Sequence, residues 1–182
     1  MSDLQPQIEW IARLVRHDTT SRNSNLSLVE DVEGYLAEHG VRSTRVPNSD
    51  GDKANLYFSV GPTVEGGVVL SGHTDVVPVD GQPWDTDPWI VVEKNGKLFG
   101  RGTADMKSFS AIGLSLLPDM LAAGLSRPIH FAPSSDEEGG LLGAPAMIRE
   151  VRDLVPKPAA VLVGEPTDLK VVGRPKGNEG FR

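Results

Sequence analysis

The sequence predicts an α/β protein, a three-layer sandwich with a mostly parallel central sheet, and three observations carry that expectation. Short apolar runs suited to strands alternate with amphipathic helical stretches, the pattern of layered sheets connected by helices. At 182 residues the chain is long enough to bury a sizeable core. Several segments rich in acidic residues, one of them with a His, fall at or just after the ends of predicted strands, the edge at which open α/β sheets bind ligands.

The elements follow in order. Residues 7–17 read as a helix with Ile8, Ile11, Leu14 and Val15 on one face. Ser27 is placed to cap a second helix running to about His39, because Ser27-Leu-Val-Glu30 fits a capping box and Gly40 stands where a helix-ending glycine belongs. Residues 56–60 and 68–71 read as strands, and the apolar run Val68-Val-Leu70 has the look of a strand buried on both faces. Within residues 89–100, Asn95-Gly96 between Ile90-Val-Val92 and Leu98-Phe99 spells a hairpin. Residues 108–121 form a helix that Pro118 breaks or kinks. A strand at 129–132, a helix at 141–154 with Pro145 in its tolerant first turn, and a strand at 159–163 complete the series.

Composition narrows the function. Lys and Arg total 18 against 25 Asp and Glu, a net charge of −7, which disfavours nucleic-acid phosphates as partners. No apolar run approaches the roughly 18 residues of a membrane span. The N-terminus lacks the basic start and apolar stretch of a signal peptide, so a cytoplasmic location is expected. There is no Cys, so any metal must be held by carboxylates and by one or more of His17, His39, His73 and His130. No Gly-x-Ser-x-Gly elbow, phosphate-binding loop or dinucleotide fingerprint occurs.

Four segments carry the candidate chemistry. In Ser71-Gly-His-Thr-Asp75, His73 and Asp75 are two apart, so on an extended chain they share a face, and Asp75 could orient a metal-bound imidazole. In Gly100-Arg-Gly-Thr-Ala-Asp-Met-Lys107, Asp105 stands just before a helix. Ser134-Ser-Asp-Glu-Glu-Gly-Gly140 sets three carboxylates side by side, an arrangement that repels itself unless cations or solvent compensate. In Val163-Gly-Glu-Pro-Thr167, Glu165 ends an apolar strand. Read singly, each has an ordinary explanation: a surface His in a polar turn, a helix cap, a solvated acidic loop, a strand-ending acid. Together they gather one His and several carboxylates at one sheet edge, a donor set that suits zinc, and two metals sharing a carboxylate would account for so many acids.

At these residues the sequence resembles the M20 metallopeptidase family, through Ser71-Gly-His-Thr-Asp-Val-Val-Pro78, Gly100-Arg-Gly-Thr-Ala-Asp-Met-Lys107, Ser135-Asp-Glu-Glu138 and Gly164-Glu-Pro-Thr167. Order and spacing match as well, and the resemblance runs over essentially the whole chain. Lys53-Ala-Asn-Leu56 tilts it toward the branch that deacetylates N-acetylornithine in arginine biosynthesis, with the N-succinyl-diaminopimelate branch next. The resemblance implies two divalent ions, zinc first, with cobalt or manganese as alternatives, and a small N-acyl amino acid as substrate. His73 and Glu165 would hold the first ion, Glu138 the second, and Asp105 would bridge them. Glu137 would be the general base and Asp75 would orient His73. A cis peptide at Asp105-Met106 is implied too.

Family members are longer, with an inserted dimerisation domain and a late His that completes the second metal site. Here nothing after His130 is His, Pro175-Lys-Gly177 stands where relatives often have His-Lys-Gly, and Ser108 replaces a common Gly. Residues 1–172 are therefore expected to be the N-terminal part of a catalytic domain and 173–182 the start of the dimerisation domain of a homodimeric parent. The isolated chain is expected to be inactive or nearly so, a catalytically incomplete metal-binding piece with exposed apolar surface.

Overall fold

The computed structural model describes residues 4–168 and 170–172. Two helices, α1 (Gln5–Val15) and α2 (Leu26–Glu38), lead into strands β1 (Ser43–Pro47), β2 (Ala54–Val60) and β3 (Val68–His73). A small hairpin of β4 (Val92–Lys94) and β5 (Lys97–Phe99) follows, then α3 (Lys107–Ser115), α4 (Leu117–Ala122), β6 (Ile129–Ser134), α5 (Gly143–Val151) and β7 (Ala160–Val163). The five-stranded sheet has the order β1-β2-β6-β3-β7. β6, β3 and β7 pair in parallel, β2 is antiparallel to β6, and β1 is antiparallel to β2. Four strands thus share one direction and β2 alone runs against them.

The alternation of β2 builds both layers. Ala54, Leu56, Phe58 and Val60 face a core with Trp10, Leu14, Val15, Val29, Val32 and Leu36 of α1 and α2 and with Ala111 and Leu114 of α3. Tyr57 points the other way, to a smaller core with Val46, Ala132, and Met147 and Val151 of α5. Helices therefore cover both faces, as expected of a three-layer sandwich. Among the described residues no helix is long and apolar enough to cross a membrane.

The expected elements appear with shifted ends, and Leu116 and Pro118 split residues 107–122 into α3 and α4. In the hairpin turn Asn95 and Gly96 both have positive φ, 54° and 70°, which suits Asn-Gly. Two details differ from expectation. Ser27 lies inside α2 and contacts His17 Nδ1 rather than capping the helix, and the residue at the cap, Asn25, spends its side chain on the backbone of Ala54 and on Thr74 Oγ1. Val68-Val-Leu70 is not buried on both faces: Val68 is exposed, and Val69 is only half-buried because it lines an apolar groove of about 490 Å³ between β3, β7 and α5. β1 has no counterpart among the expected strands. The expected domain start at residue 173 lies outside the described residues.

Candidate metal centre

Because β3 and β6 run in parallel, their carboxyl ends deliver His73 and Ser134 side by side at one edge of the sheet. His73 is almost fully buried. Its Nδ1–H donates to the Asp75 carbonyl at 2.8 Å, an acceptor that can only take a proton, so Nδ1 carries the hydrogen and Nε2 is left to face the site. Facing Nε2 are Asp105 Oδ1 at 3.1 Å, Glu165 Oε1 at 3.9 Å and Glu137 Oε2 at 4.0 Å. Burial draws the His73 pKa down, but the Asp75 carbonyl and the charges of Asp75, Asp105 and Glu165 outweigh it, and the net direction is upward. A lone pair aimed at carboxylates is stable only with a proton or a metal cation between them.

Asp105 sits in the turn before α3, followed by a cis Asp105–Met106 peptide, as the resemblance implies. It does not cap α3, whose N-cap is Met106. The turn is anchored beneath by Lys107, whose buried ammonium donates to the carbonyls of Leu14 at 3.2 Å and His17 at 2.7 Å at the end of α1. Met106 and Phe109 lie over bare glycine backbone. A Cβ on Gly72 would stand 2.8 Å from Met106 Cε, and one on Gly164 would stand 2.5 Å from Phe109 Cδ1 with Cγ and Cδ2 nearer still. Gly164 N–H donates to the Ser71 carbonyl at 3.1 Å, which ties the residue before Glu165 to β3.

The acidic turn after β6 presents Glu137 and Glu138. Asp75 holds it: its carboxylate accepts from the amides of Glu137 at 3.1 Å and Glu138 at 3.2 Å and from Ser21 Oγ at 2.8 Å. Asp75 therefore meets His73 chiefly through its carbonyl, with its nearest carboxylate oxygen 3.6 Å from Nδ1. Burial raises the Glu138 carboxyl, Asp105, Glu137 and Asp75 add to the rise, and His73 opposes it. Burial likewise raises Glu165, against His73 and with Asp105 and Glu137. Burial leads in both shifts, and the neighbouring carboxylates add to it, a setting that a bound cation would relieve.

Among the described residues two groups of side chains bring ligand atoms within 4.8 Å of one another: His73 with Asp105 and Glu165, and His73 with Glu137 and Glu138. All six residues singled out in the sequence converge here. The other histidines are engaged elsewhere: His17 with Asp31, His39 with the Tyr35 carbonyl, and His130 with Tyr57 and Ser59. Sequence reasoning misses Ser21, Lys53 and Asn55, which hold the loops of the site. Ser21 lies in a polar stretch without any signal, and Lys53-Ala-Asn55 draws notice only through the family resemblance.

A His and carboxylates gathered at the carboxyl edge of the sheet give an α/β domain with a candidate metal-binding donor set. The Peptidase family M20/M25/M40 model matches residues 69–175, and the chain belongs to that family. It is 37% identical over 158 residues to the acetylornithine deacetylase of Pasteurella multocida (strain Pm70), a match covering 86% of this chain and 40% of that protein. It is 36% identical over 166 residues to the acetylornithine deacetylase of Yersinia pestis, covering 88% and 42%. Among solved structures it resembles human carnosine dipeptidase 1 (TM-score 0.67, 25% identity, 81% of this chain and 36% of that one). It also resembles the M20 family metallo-carboxypeptidase Sso-CP2 from Sulfolobus solfataricus (TM-score 0.72, 19% identity, 90% and 37%). The chain thus spans less than half the length of the relatives it matches.

Proposed function

We propose that this chain supplies the metal-holding and proton-transferring part of an amidohydrolase that cleaves the acyl group from an N-acyl amino acid, with N-acetylornithine the leading substrate and N-succinyl-diaminopimelate next. The observation that carries the reading is His73 Nε2, aimed at the carboxylates of Asp105, Glu165 and Glu137. The name shared by the relatives supports the substrate. His73, Asp105 and Glu165 would hold one divalent ion, zinc first, and Asp105 with Glu138 would contribute to a second. Bound there, such ions polarise an amide carbonyl and make water more acidic. Glu137 is the proton carrier: with one oxygen 4.0 Å from His73 Nε2 and a third of its side chain exposed, it can take a proton from water and return it to the departing amine nitrogen. Asp75 sets the His73 tautomer through its carbonyl and the pose of Glu137 through its carboxylate. The parent enzyme is taken to be a cytoplasmic homodimer, with residues 1–172 in its catalytic domain and its dimerisation domain beginning at 173.

A second reading, a metal-binding chain without turnover of its own, is favoured by the engagement of His17, His39 and His130 away from the site. Elemental analysis of the purified chain tests both. One zinc per chain, lost in Glu165→Ala and kept in Glu138→Ala, supports the His73–Asp105–Glu165 set with an incomplete second site. Two tightly held ions together with turnover of a panel of N-acyl amino acids would remove the second reading, and absence of any metal would sink both.

A further inference from the structure

We propose that Lys53, assisted by Asn55, is the positioning residue that holds the acidic turn and so fixes Glu137 and Glu138 against His73. The inference rests on the metal-site reading above and adds residues that reading does not use. Because β2 runs against its neighbours, its first residues, not its last, reach the edge where β3 and β6 end. The register that pairs Phe58 with Phe131 and Val60 with Ile129, carried past the strand ends, sets Lys53 opposite Asp136. Lys53 Nζ donates there to Asp136 Oδ1 and also to the Ser21 carbonyl. Both side chains of the ion pair are nearly covered, at 13% and 14% exposure. Two residues on, the buried Asn55 accepts the Ser135 N–H at 2.9 Å.

These contacts close a ring. Lys53 joins Asp136 to Ser21, Ser21 Oγ donates to Asp75, and Asp75 accepts the amides of Glu137 and Glu138. Asp136 has φ 55°, a conformation that a side chain other than Gly adopts at a cost and keeps only when its surroundings hold it. Its carboxylate, covered and adjacent to Glu137, has Lys53 as its cation. Without the ammonium, Asp136 would be a buried charge without a counter-ion, relieved by turning out to water and taking the turn with it.

Amide hydrogen exchange on the metal-free 182-residue chain reads the turn directly. In Lys53→Met the Glu137 and Glu138 amides are expected to exchange at least about tenfold faster, while Phe131 in β6 stays within about twofold of wild type. Lys53→Arg, which keeps a cation, restores protection to within about threefold of wild type, and Asp136→Asn speeds the same two amides at least about threefold. Unchanged exchange at Glu137 and Glu138, or acceleration spread equally to Phe131, overturns the proposal, and Asp136→Asn decides between these outcomes where Lys53→Met fails to fold. Zinc titration adds a readout of opposite sign. Loss of an ammonium beside so many carboxylates tightens cation binding by charge alone, whereas loss of positioning weakens it, by about tenfold, with Lys53→Arg restoring it. Tighter zinc binding by Lys53→Met overturns the proposal. A wild-type chain that takes up no zinc refutes the metal reading instead, and the exchange pattern still decides the role of Lys53.

Discussion

Gly164→Ala puts the construction of the site to the sharpest test. The added methyl would meet Phe109 Cδ1 at 2.5 Å, with Cγ and Cδ2 closer, where ordinary carbon contacts lie at about 3.5–4.0 Å, so the ring must retreat by more than about 1 Å. Phe109 is carried on the first turn of α3, so either that turn shifts, with Asp105 before it, or Gly164 recoils and takes Glu165 with it. Overpacking of this kind costs about 1–3 kcal/mol. In a chain of 182 residues, at about 2–4 °C per kcal/mol, that lowers Tm by about 2–12 °C. Zinc affinity should fall by about 10–100-fold, the usual effect of disturbing what supports a ligand. Thermal melts and zinc titration measure both. Gly34→Ala is the control: it lies in α2 with nothing within 4 Å of its would-be Cβ and should stabilise by about 0.5–1 kcal/mol. A Gly164→Ala chain that melts and binds zinc like wild type would refute the claim that a glycine-lined face sets the distance between Asp105, Glu165 and His73.

Three further expectations concern charge. Glu137→Gln should retain zinc uptake and lose at least about 100-fold in amide hydrolysis wherever turnover is measurable, and an unimpaired rate would remove Glu137 as the proton carrier. Arg13, with His17, holds the Asp31 carboxyl down, from 3.8 to about 2, so the stabilisation these partners give, about 1 kcal/mol once solvent screening is allowed for, is fully present above about pH 4 and is lost as pH falls through about 2. Denaturant melts of Asp31→Asn against wild type should therefore differ at pH 6 and converge near pH 2, and a constant difference would contradict this. Burial lowers Lys107 from 10.5 to about 7, against Asp18 and Asp75, so the folded chain sheds this proton before the unfolded chain does. Wild-type stability relative to Lys107→Met should then rise from about pH 7 to about pH 10, and a flat difference would contradict the burial cost.

Local pattern makes much of this structure readable and long-range pairing hides the rest. The helical spacing of Leu14 and Val15, the Asn95-Gly96 turn and the break near Pro118 are written within a few residues, and each appears where expected. β1 escapes because its only buried residue is Val46, so the alternation that marks a half-buried strand is missing. The direction of β2 carries no signal in its own residues. Ser27 misleads for a related reason: its hydroxyl lies against His17 Nδ1, and the residue at the cap, Asn25, is claimed by Ala54 and Thr74. The site divides in the same way. His73, Asp75, Asp105, Glu137, Glu138 and Glu165 stand out as acids and a His at strand ends. Ser21, Lys53 and Asn55 act on the site through residues 32 to 83 positions away.

The proposed ligand set draws on strands of unequal security. His73 ends a strand paired on both sides, to β6 and to β7. Glu165 follows β7, which among the described residues is an edge strand paired only to β3 and on which Val161, Leu162 and Val163 are each more than half exposed. Little apolar burial holds that strand, so opening there costs less than opening at β3. The Gly164 N–H bond to Ser71 and the Phe109 ring over Gly164 are then what keep Glu165 within reach of His73. Of the three residues proposed to hold the first ion, Glu165 is the one whose placement depends most on how well β7 is covered, and a surface that packs on Val161 and Val163 should raise zinc affinity without touching the site.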